Sequence, residues 1–286
     1  MKGKHSVALL CEILAVSRSG YYRWQEPRPT KRQREDAQLA AKVAVAHAQS
    51  RKNYGAPRVV KELRAGGTAI SKRRCARLMK GQGLQGRKKH RRRPRTTDSG
   101  HAYPPAENLL AQQPSPCGPN QAWITDITYL RTAEGWLYLA AILDVWSRRV
   151  VGWACGPTLH VSLVLAALQA ALRQRQPPKG LLHHSDRGVQ YACQEYAAAL
   201  HGAGLVRSMS RRGNCYDNAA MESFWSTLKT ETGLDQTAPI SRRATELIVF
   251  DYIETFYNPT RRHSSLGYLS PVAYENQPTK NDSQAA

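Results

Sequence analysis

From residue 122 onward, the apolar residues fall into strand-like and helix-like segments in a fixed order. Three strand patterns come first, with connections short enough for an antiparallel meander, and helices then alternate with two more strands. The strand patterns cover 122–130, 135–145, 147–155, 180–186 and 204–210, and the helix patterns cover 162–175, 194–204 and 217–232. The order β-β-β-α-β-α-β-α predicts an α/β domain with a mixed five-stranded sheet flanked by helices.

This order is the layout of the ribonuclease-H-like fold, in which the fourth strand pairs beside the first. Before it, residues 7–24 and 57–80 show short helical patterns with turns that contain glycine, which is typical of a helix-turn-helix region. Ser71 is the predicted N-cap of a basic helix whose inward residues are Cys75, Leu78 and Met79. The sequence therefore predicts a small basic all-α region ahead of the α/β domain.

Charge is distributed very unevenly along the chain. Residues 1–100 hold 26 Lys and Arg against 6 Asp and Glu, whereas residues 101–286 hold 16 against 15. An excess of this size is best tolerated when a polyanion neutralises it, and nucleic acid is the natural candidate. The alternative is a solvated basic surface without a partner.

Several basic side chains of the front region are candidates for DNA contact. Those of the second helix could equally form the charged outer face of an ordinary amphipathic helix. The run at 86–95 favours DNA, because seven Lys and Arg within ten residues cannot pack in a core. The candidates are Lys72, Arg73, Arg74, Arg77, Arg91, Arg92 and Arg93.

Composition also predicts domain boundaries and compartment. We expect a basic DNA-binding region at 1–95, a Pro-rich linker at 96–118, a catalytic core at 119–278 and a disordered tail at 279–286. The longest apolar run, at 136–143, is too short to cross a membrane. Six cysteines without a C-x-x-C pair argue against a disulfide framework and a cysteine-rich zinc site, and favour reduced thiols in the cytoplasm.

Three carboxylates stand out by their positions. Asp126 lies in the middle of the first strand, where aspartate is disfavoured, Asp186 ends the fourth strand, and Glu222 lies in the last long helix. Taken singly, an acid beside a strand or helix end is usually a turn or capping residue. Together they would converge at one end of the sheet and repel one another unless divalent cations hold them. Oxygen ligands alone select a hard ion such as Mg²⁺ or Mn²⁺.

Other polar residues near these segments have two interpretations. Asp144 and Asp217 are rival acids, of which the first is expected to open a turn and the second to cap a helix. His183 and His184 could be metal ligands but are more typical of packed or hydrogen-bonded groups. Arg211 and Arg212 are placed to meet a DNA backbone or to form a charged surface loop. The segment 261–263 either contacts DNA or caps and packs.

Four stretches of the core carry a family resemblance: WITDITYL, HHSDRGVQY, GNCYDNAAMESFWSTLK and YNPTRRHSSLGYLSP. With LCEILAVSRSGYYRW and the segment around 54–79, they resemble the OrfB transposases of the insertion sequence 3 family, relatives of retroviral integrases. The likeness runs from Val7 to Glu275. Thirty-five residues separate Asp186 from Glu222, so the family's D-D-35-E triad falls by position on Asp126, Asp186 and Glu222. Its following basic residue falls on Lys229, two helical turns after the glutamate on the same face.

The resemblance implies a DNA transposase that nicks 3′ ends at terminal inverted repeats and transfers the strand, with two Mg²⁺ or Mn²⁺ ions at the triad. It also implies double-stranded DNA as partner, a homo-oligomer on DNA, and a bacterial, nucleoid-associated location. It leaves open a fusion or association with the upstream OrfA product. The rival interpretations are a DNA-binding regulator with an inactive core and a structure-specific nuclease.

Overall fold

The computed structural model describes residues 6–26, 29–87, 104, 106–211, 218–236 and 238–277. The chain divides into two compact units, 1–86 and 87–286. No helix in the described part of the chain is long and apolar enough to span a membrane. Each unit has its own core, and each is described separately below.

The first unit is helical, as its sequence predicts. Its helices are α1 (Val7–Ile13), α2 (Arg18–Gln25), α3 (Lys31–Gln49), α4 (Ala56–Ala65) and α5 (Lys72–Gly81). The predicted cap is confirmed, because the Ser71 side chain accepts a hydrogen bond from the Arg74 amide at 3.2 Å. The predicted apolar face of α5 is also confirmed, since Cys75, Leu78 and Met79 are buried.

The longest helix of this unit, α3, has no counterpart among the sequence predictions. It begins with a capping box, in which the Thr30 and Gln33 side chains each bond to the other residue's backbone amide. That reciprocal pair removes two unsatisfied donors at the helix start. The S/T-x-x-E/Q pattern was the signal in the sequence that could have located it. Val43 of α3 is fully buried, and α3 contacts both α4 and α5.

The second unit is a five-stranded sheet in the order β3-β2-β1-β4-β5. Its elements are β1 (Ala122–Thr132), β2 (Gly135–Asp144), β3 (Val150–Gly156), α6 (Val161–Arg175), β4 (Leu182–Ser185), α7 (Val189–Ala192), α8 (Gln194–Gly202), β5 (Val206–Met209), α9 (Ala219–Thr232), α10 (Arg242–Phe250) and α11 (Pro271–Glu275). The first three strands are antiparallel, and β4 runs parallel to β1 and β5. The predicted meander, the β1–β4 pairing and the ribonuclease-H-like layout are confirmed.

One face of the sheet carries a continuous apolar core beneath α6, α7 and α8. Trp123, Ile142 and Val151 of the strands pack there against residues of these helices, including Leu168 and Tyr196. The segment 106–110, which falls within the predicted linker, lies beside β5, where Leu109 donates its amide to the Ser208 hydroxyl at 3.0 Å. The helices α9 and α10 contact β1.

The C-terminal segments are fastened to the sheet by buried polar side chains. A π-helical segment, Asp251–Tyr257, continues α10 and ends at Asn258, which confirms the predicted helix stop at Asn258-Pro259. The Asn258 amide group donates to the Val150 carbonyl and accepts from the Val150 amide, both at 3.0 Å. Arg175 binds both oxygens of Glu275 at 2.9 Å. These contacts hold Asn258 against β3 and α11 against α6.

Candidate active site

Asp126 is a polar residue in the central strand of the sheet. It lies opposite Ala141 of β2. One carboxylate oxygen accepts a hydrogen bond from the Ile127 amide at 2.9 Å, and the other accepts from the Trp225 indole nitrogen of α9 at 3.0 Å. Both oxygens are thus oriented by donors, and a carboxylate oxygen that accepts one hydrogen bond retains a lone pair for another ligand.

Asp186 follows directly after β4, the strand parallel to β1. Its carboxylate accepts a hydrogen bond from the Gly188 amide at 3.0 Å, so it also shapes the turn into α7. The turn role and the site role of Asp186 are therefore compatible. Because β1 and β4 are adjacent and parallel, Asp186 lies at the same edge of the sheet as Asp126.

The electrostatics show that these two carboxylates interact. The pKa of Asp126 is raised to about 7, first by burial and then by the negative charge of Asp186, with a smaller contribution from Glu222. The hydrogen bonds from Trp225 and Ile127 act in the opposite direction. A raised pKa means that the ionised carboxylate is destabilised, and a nearby divalent cation would stabilise it.

Glu222 is carried by α9, three residues before Trp225. Residues three apart on a helix share a face, so the Trp225–Asp126 hydrogen bond brings the Glu222 side of α9 towards β1. The Glu222 side chain is exposed. Within the residues that the structure describes, no three His, Cys, Asp or Glu side chains stand close enough to hold a metal ion as they are. Asp126 and Asp186 thus form the base of the site, and Glu222 lies on the exposed surface of the helix beside it.

Lys229 lies on the same helix, two turns after Glu222. It is largely surrounded by protein, and this burial lowers its pKa, against the opposing charges of Asp235 and Asp126. The ammonium group is therefore within electrostatic range of Asp126. Asp126 therefore interacts electrostatically with two other carboxylates, Asp186 and Glu222, and with the Lys229 ammonium.

Comparisons with known proteins match both parts of the chain. Two models described as "Integrase core domain" match residues 116–215 and 203–271, and one described as "HTH-like domain" matches 33–93. The transposase InsF for insertion sequence IS3A of Escherichia coli strain K12 is 42% identical over 278 residues, which is 96% of each chain. This chain belongs to the insertion sequence 3 family of transposases.

The transposase is also similar to a second insertion-element protein and, more weakly, to a solved structure. The insertion element IS600 uncharacterized 31 kDa protein of Shigella sonnei is 46% identical over 265 residues, covering 93% of this chain and 97% of that protein. Among solved structures, a simian T-cell lymphotropic virus intasome in complex with the PP2A regulatory subunit B56 gamma matches at 15% identity. That match has a TM-score of 0.49 and covers 84% of this chain and 76% of the other.

The two histidines before Asp186 are buried and hydrogen-bonded, in agreement with the more typical interpretation. His183 shares a hydrogen bond with the Tyr196 hydroxyl at 2.7 Å, and His184 bonds to the hydroxyls of Ser208 and Ser210 at 2.8 and 3.0 Å. Burial and the neighbouring His184 lower the pKa of His183 to about 3, so that ring is neutral. His183 thus joins β4 to α8, and His184, on the opposite face of the strand, joins β4 to β5 and the residue after it.

Two further alternatives are decided by contacts. Asp144 is buried and accepts hydrogen bonds from the amides of Trp146 and Ser147 at 3.0 and 2.9 Å, which confirms its predicted turn role. Arg261 is also buried, and it pairs with Glu231 of α9 at 2.7 Å. In the segment 261–263, therefore, Arg261 packs, and its guanidinium stabilises the helix that carries Glu222.

The predicted DNA-contact residues of α5 divide into two groups. Lys72 and Arg73 are exposed. Arg74 and Arg77 instead bind Asp36 of α3 at 2.7 and 2.6 Å, and these pairs lower the pKa of Asp36. No local pattern indicates this pairing, because α3 is not among the predicted helices.

The remaining predicted contacts lie near the edges of what the structure describes. Arg211 is exposed after β5. Arg91, Arg92, Arg93, Arg212 and the rival acid Asp217 lie outside the described residues. Trp225 was not a sequence-predicted site residue, since an aromatic residue at a helical position normally indicates core packing.

Proposed function

We propose that Asp126, Asp186 and Glu222 are the catalytic and metal-binding residues of this transposase, with 3′-end nicking at the terminal inverted repeats followed by strand transfer. The observation that supports this most directly is the position of Asp126. A half-buried carboxylate with a strongly raised pKa lies in the central strand, accepts a hydrogen bond from α9 and interacts with a second carboxylate at the end of the neighbouring strand. Packing of the strand does not require an acidic residue at this position, and carboxylates with strongly shifted pKa values are typical of functional sites.

The donor set suits a hard divalent cation, Mg²⁺ or Mn²⁺, and two ions per site. The candidate ligands are carboxylates, and the histidines nearest to them in sequence are bonded to Tyr196, Ser208 and Ser210. A cation there would relieve the repulsion that raises the pKa of Asp126. When bound, such ions polarise the phosphodiester and favour deprotonation of the attacking hydroxyl.

The chain's own residues orient the reacting groups. The Trp225 indole and the Ile127 amide fix the Asp126 carboxylate, while the Gly188 amide fixes that of Asp186. Lys229 supplies a positive charge near Asp126 for a non-bridging phosphate oxygen. In nicking, water attacks the phosphorus and the 3′ oxygen leaves; in joining, that 3′ hydroxyl attacks a second phosphodiester and displaces its 3′ oxygen. Neither step needs a covalent bond to the protein.

The partners follow from the same proposal. Lys72, Arg73, Arg91, Arg92 and Arg93 of the front region, with Arg211 and Arg212 near the site, bind the phosphates of double-stranded DNA. We propose division of the chain at 95/96, 118/119 and 278/279, assembly as a homo-oligomer on DNA, and action in the bacterial cytoplasm at the nucleoid. Fusion or association with the OrfA product would add a further DNA-binding segment.

A strand-joining assay tests this proposal. The protein is incubated with Mg²⁺ or Mn²⁺ and a labelled inverted-repeat end, and joined products are counted. We expect Asp126→Asn, Asp186→Asn and Glu222→Gln each to abolish joining while DNA binding persists. The matched control is Glu195→Gln, an exposed acid in the first turn of α8, which should join normally.

Three outcomes would contradict the proposal. If the wild type binds the end but neither cuts nor joins it, the chain is a regulator. If it cuts without joining, it is a nuclease. Equal joining by Glu222→Gln and Glu195→Gln would remove Glu222 from the site.

A further inference from the structure

A group of aromatic side chains lies on the β1–β2 hairpin beyond the carboxylates. Tyr129 is directly opposite Tyr138, and Arg131 is directly opposite Trp136. Side chains alternate between the faces of a strand, so these four residues share one face. The ring centroids of Tyr129 lie 5.1 Å from Tyr138 and 6.0 Å from Trp136, with the rings near-perpendicular. We call these four residues the hairpin platform.

The hairpin platform is exposed at one end and fixed at the other. Tyr138 packs on the edge of the core cluster, whereas half of the Trp136 surface is exposed, at 50%. The Trp136 carbonyl accepts a hydrogen bond from the Arg242 guanidinium at 3.2 Å, which anchors the strand start. Arg131 is exposed beside it. An anchored aromatic surface next to an exposed cation offers ring faces and a phosphate partner together.

The hairpin platform lies on the opposite face of β1 from Asp126, beyond the end of β4. Burial and the neighbouring Tyr138 raise the pKa of Tyr129, and the charges of Asp186 and Asp126 raise it further, so its hydroxyl lies within their electrostatic range. β1 pairs with β4 only over Ala122–Ile124, yet β1 continues to Thr132. The second half of β1 therefore passes the end of β4 and reaches beyond Asp186.

We propose that the hairpin platform binds unpaired nucleotides at the DNA end, stacking a base on Trp136 and Tyr129 with Arg131 on the adjoining phosphate. Aromatic rings with an interleaved arginine are the general means of holding single strands without reading their sequence. A second copy of the chain would also cover an apolar surface, but the exposed Arg131 cation beside the rings favours a nucleic-acid strand, whose phosphate it would bind. This inference rests on the proposed function.

Equilibrium binding of the full chain to two DNA ends tests it. One duplex is blunt and the other carries a short single-stranded overhang, and fluorescence anisotropy measures the Kd of each without divalent metal. We expect Trp136→Ala to weaken binding of the overhang end roughly tenfold, the usual loss for one stacked base, and to leave the blunt end unchanged. Trp136→Phe, which keeps a ring, should retain most of the affinity.

The matched control is Phe250→Ala, an aromatic side chain of the same unit with 51% exposure. It should change neither Kd. Iodouracil placed in the overhang should crosslink to the peptide that contains Tyr129 and Trp136. The inference would be overturned if Trp136→Ala and Phe250→Ala bound the overhang end equally well, or if Trp136→Ala weakened binding of both DNA ends equally. It would also be overturned if Trp136→Ala changed the sedimentation of the chain without DNA, because a second copy of the chain would then be the partner of this surface.

These results are separable from those on the proposed function. Glu222→Gln should lose joining while it keeps the preference for the overhang end. If Glu222→Gln still joins DNA, the catalytic assignment fails whatever the Trp136 variants show. If joining is lost in Glu222→Gln but Trp136→Ala binds both DNA ends like the wild type, only the proposed nucleotide binding by the hairpin platform is refuted.

Discussion

Replacing Arg261 by methionine should destabilise the catalytic unit more than any surface change. The Arg261 guanidinium binds both oxygens of Glu231 at 2.7 Å, and the two side chains are only 5% and 7% exposed. The Tyr252 hydroxyl donates to the same carboxylate at 2.9 Å, and the guanidinium carbon lies 5.7 Å from the centre of the Tyr257 ring. Methionine keeps most of the volume and removes the charge.

The magnitude follows from the charge that is left behind. Removing one partner of a buried pair costs about 3–5 kcal/mol, because the other stays desolvated and uncompensated. For a unit of this size, roughly 2–4 °C of melting temperature per kcal/mol gives a decrease of about 6–20 °C. Glu231 belongs to α9, so joining should fall as well, since the helix that carries Glu222 loses its C-terminal anchor.

Urea unfolding followed by circular dichroism measures the effect, with a double-mutant cycle as the control. Glu231→Met should be similarly destabilising, and the double variant should regain most of the loss because no charge is then buried. The denaturant slope should stay constant. A cost below about 1 kcal/mol for Arg261→Met, or a double variant as unstable as the sum of the single variants, would refute the reasoning.

Three further predictions concern the site and its support. Trp225→Phe keeps an aromatic ring but removes the hydrogen bond to Asp126, so calorimetry should show Mn²⁺ binding weakened by about two- to tenfold. Unchanged Mn²⁺ affinity would contradict the role given to the indole. Because the pKa of Asp126 is about 7 in the folded chain against 3.8 ordinarily, the folded state holds more protons between these values. Without divalent metal, stability should therefore fall as pH rises through this window, by at most about 1.4 kcal/mol per unit, and Asp126→Asn should abolish that slope in urea titrations. Gly152→Ala should lower the free energy of unfolding by about 1–3 kcal/mol in the same titrations, because a β-carbon there would collide with the Ala167 carbonyl and the Ala171 backbone. An unchanged free energy of unfolding would mean that β3 and α6 can move apart to make room for it.

Some features of this transposase could be predicted from the sequence because they depend on local patterns. The order of strands and helices follows from residues a few positions apart, and so do the Ser71 cap, the turn at Asp144 and the helix stop at Asn258. The family resemblance depends on order and spacing along the chain, which need no coordinates. The charge excess of the first 100 residues is likewise a property of composition.

Only the tertiary structure decided which side chains are partners across long separations. Nothing local in the sequence couples Arg261 to Glu231, Arg74 and Arg77 to Asp36, or Trp225 to Asp126. Arg261, Arg74 and Arg77 were candidates for DNA contact, but each pairs with a carboxylate within the fold. A charge is stabilised by whichever counter-charge the fold brings near it. The third gave Asp126 its geometry, since a strand position fixes the face of a residue and only packing fixes what lies above it.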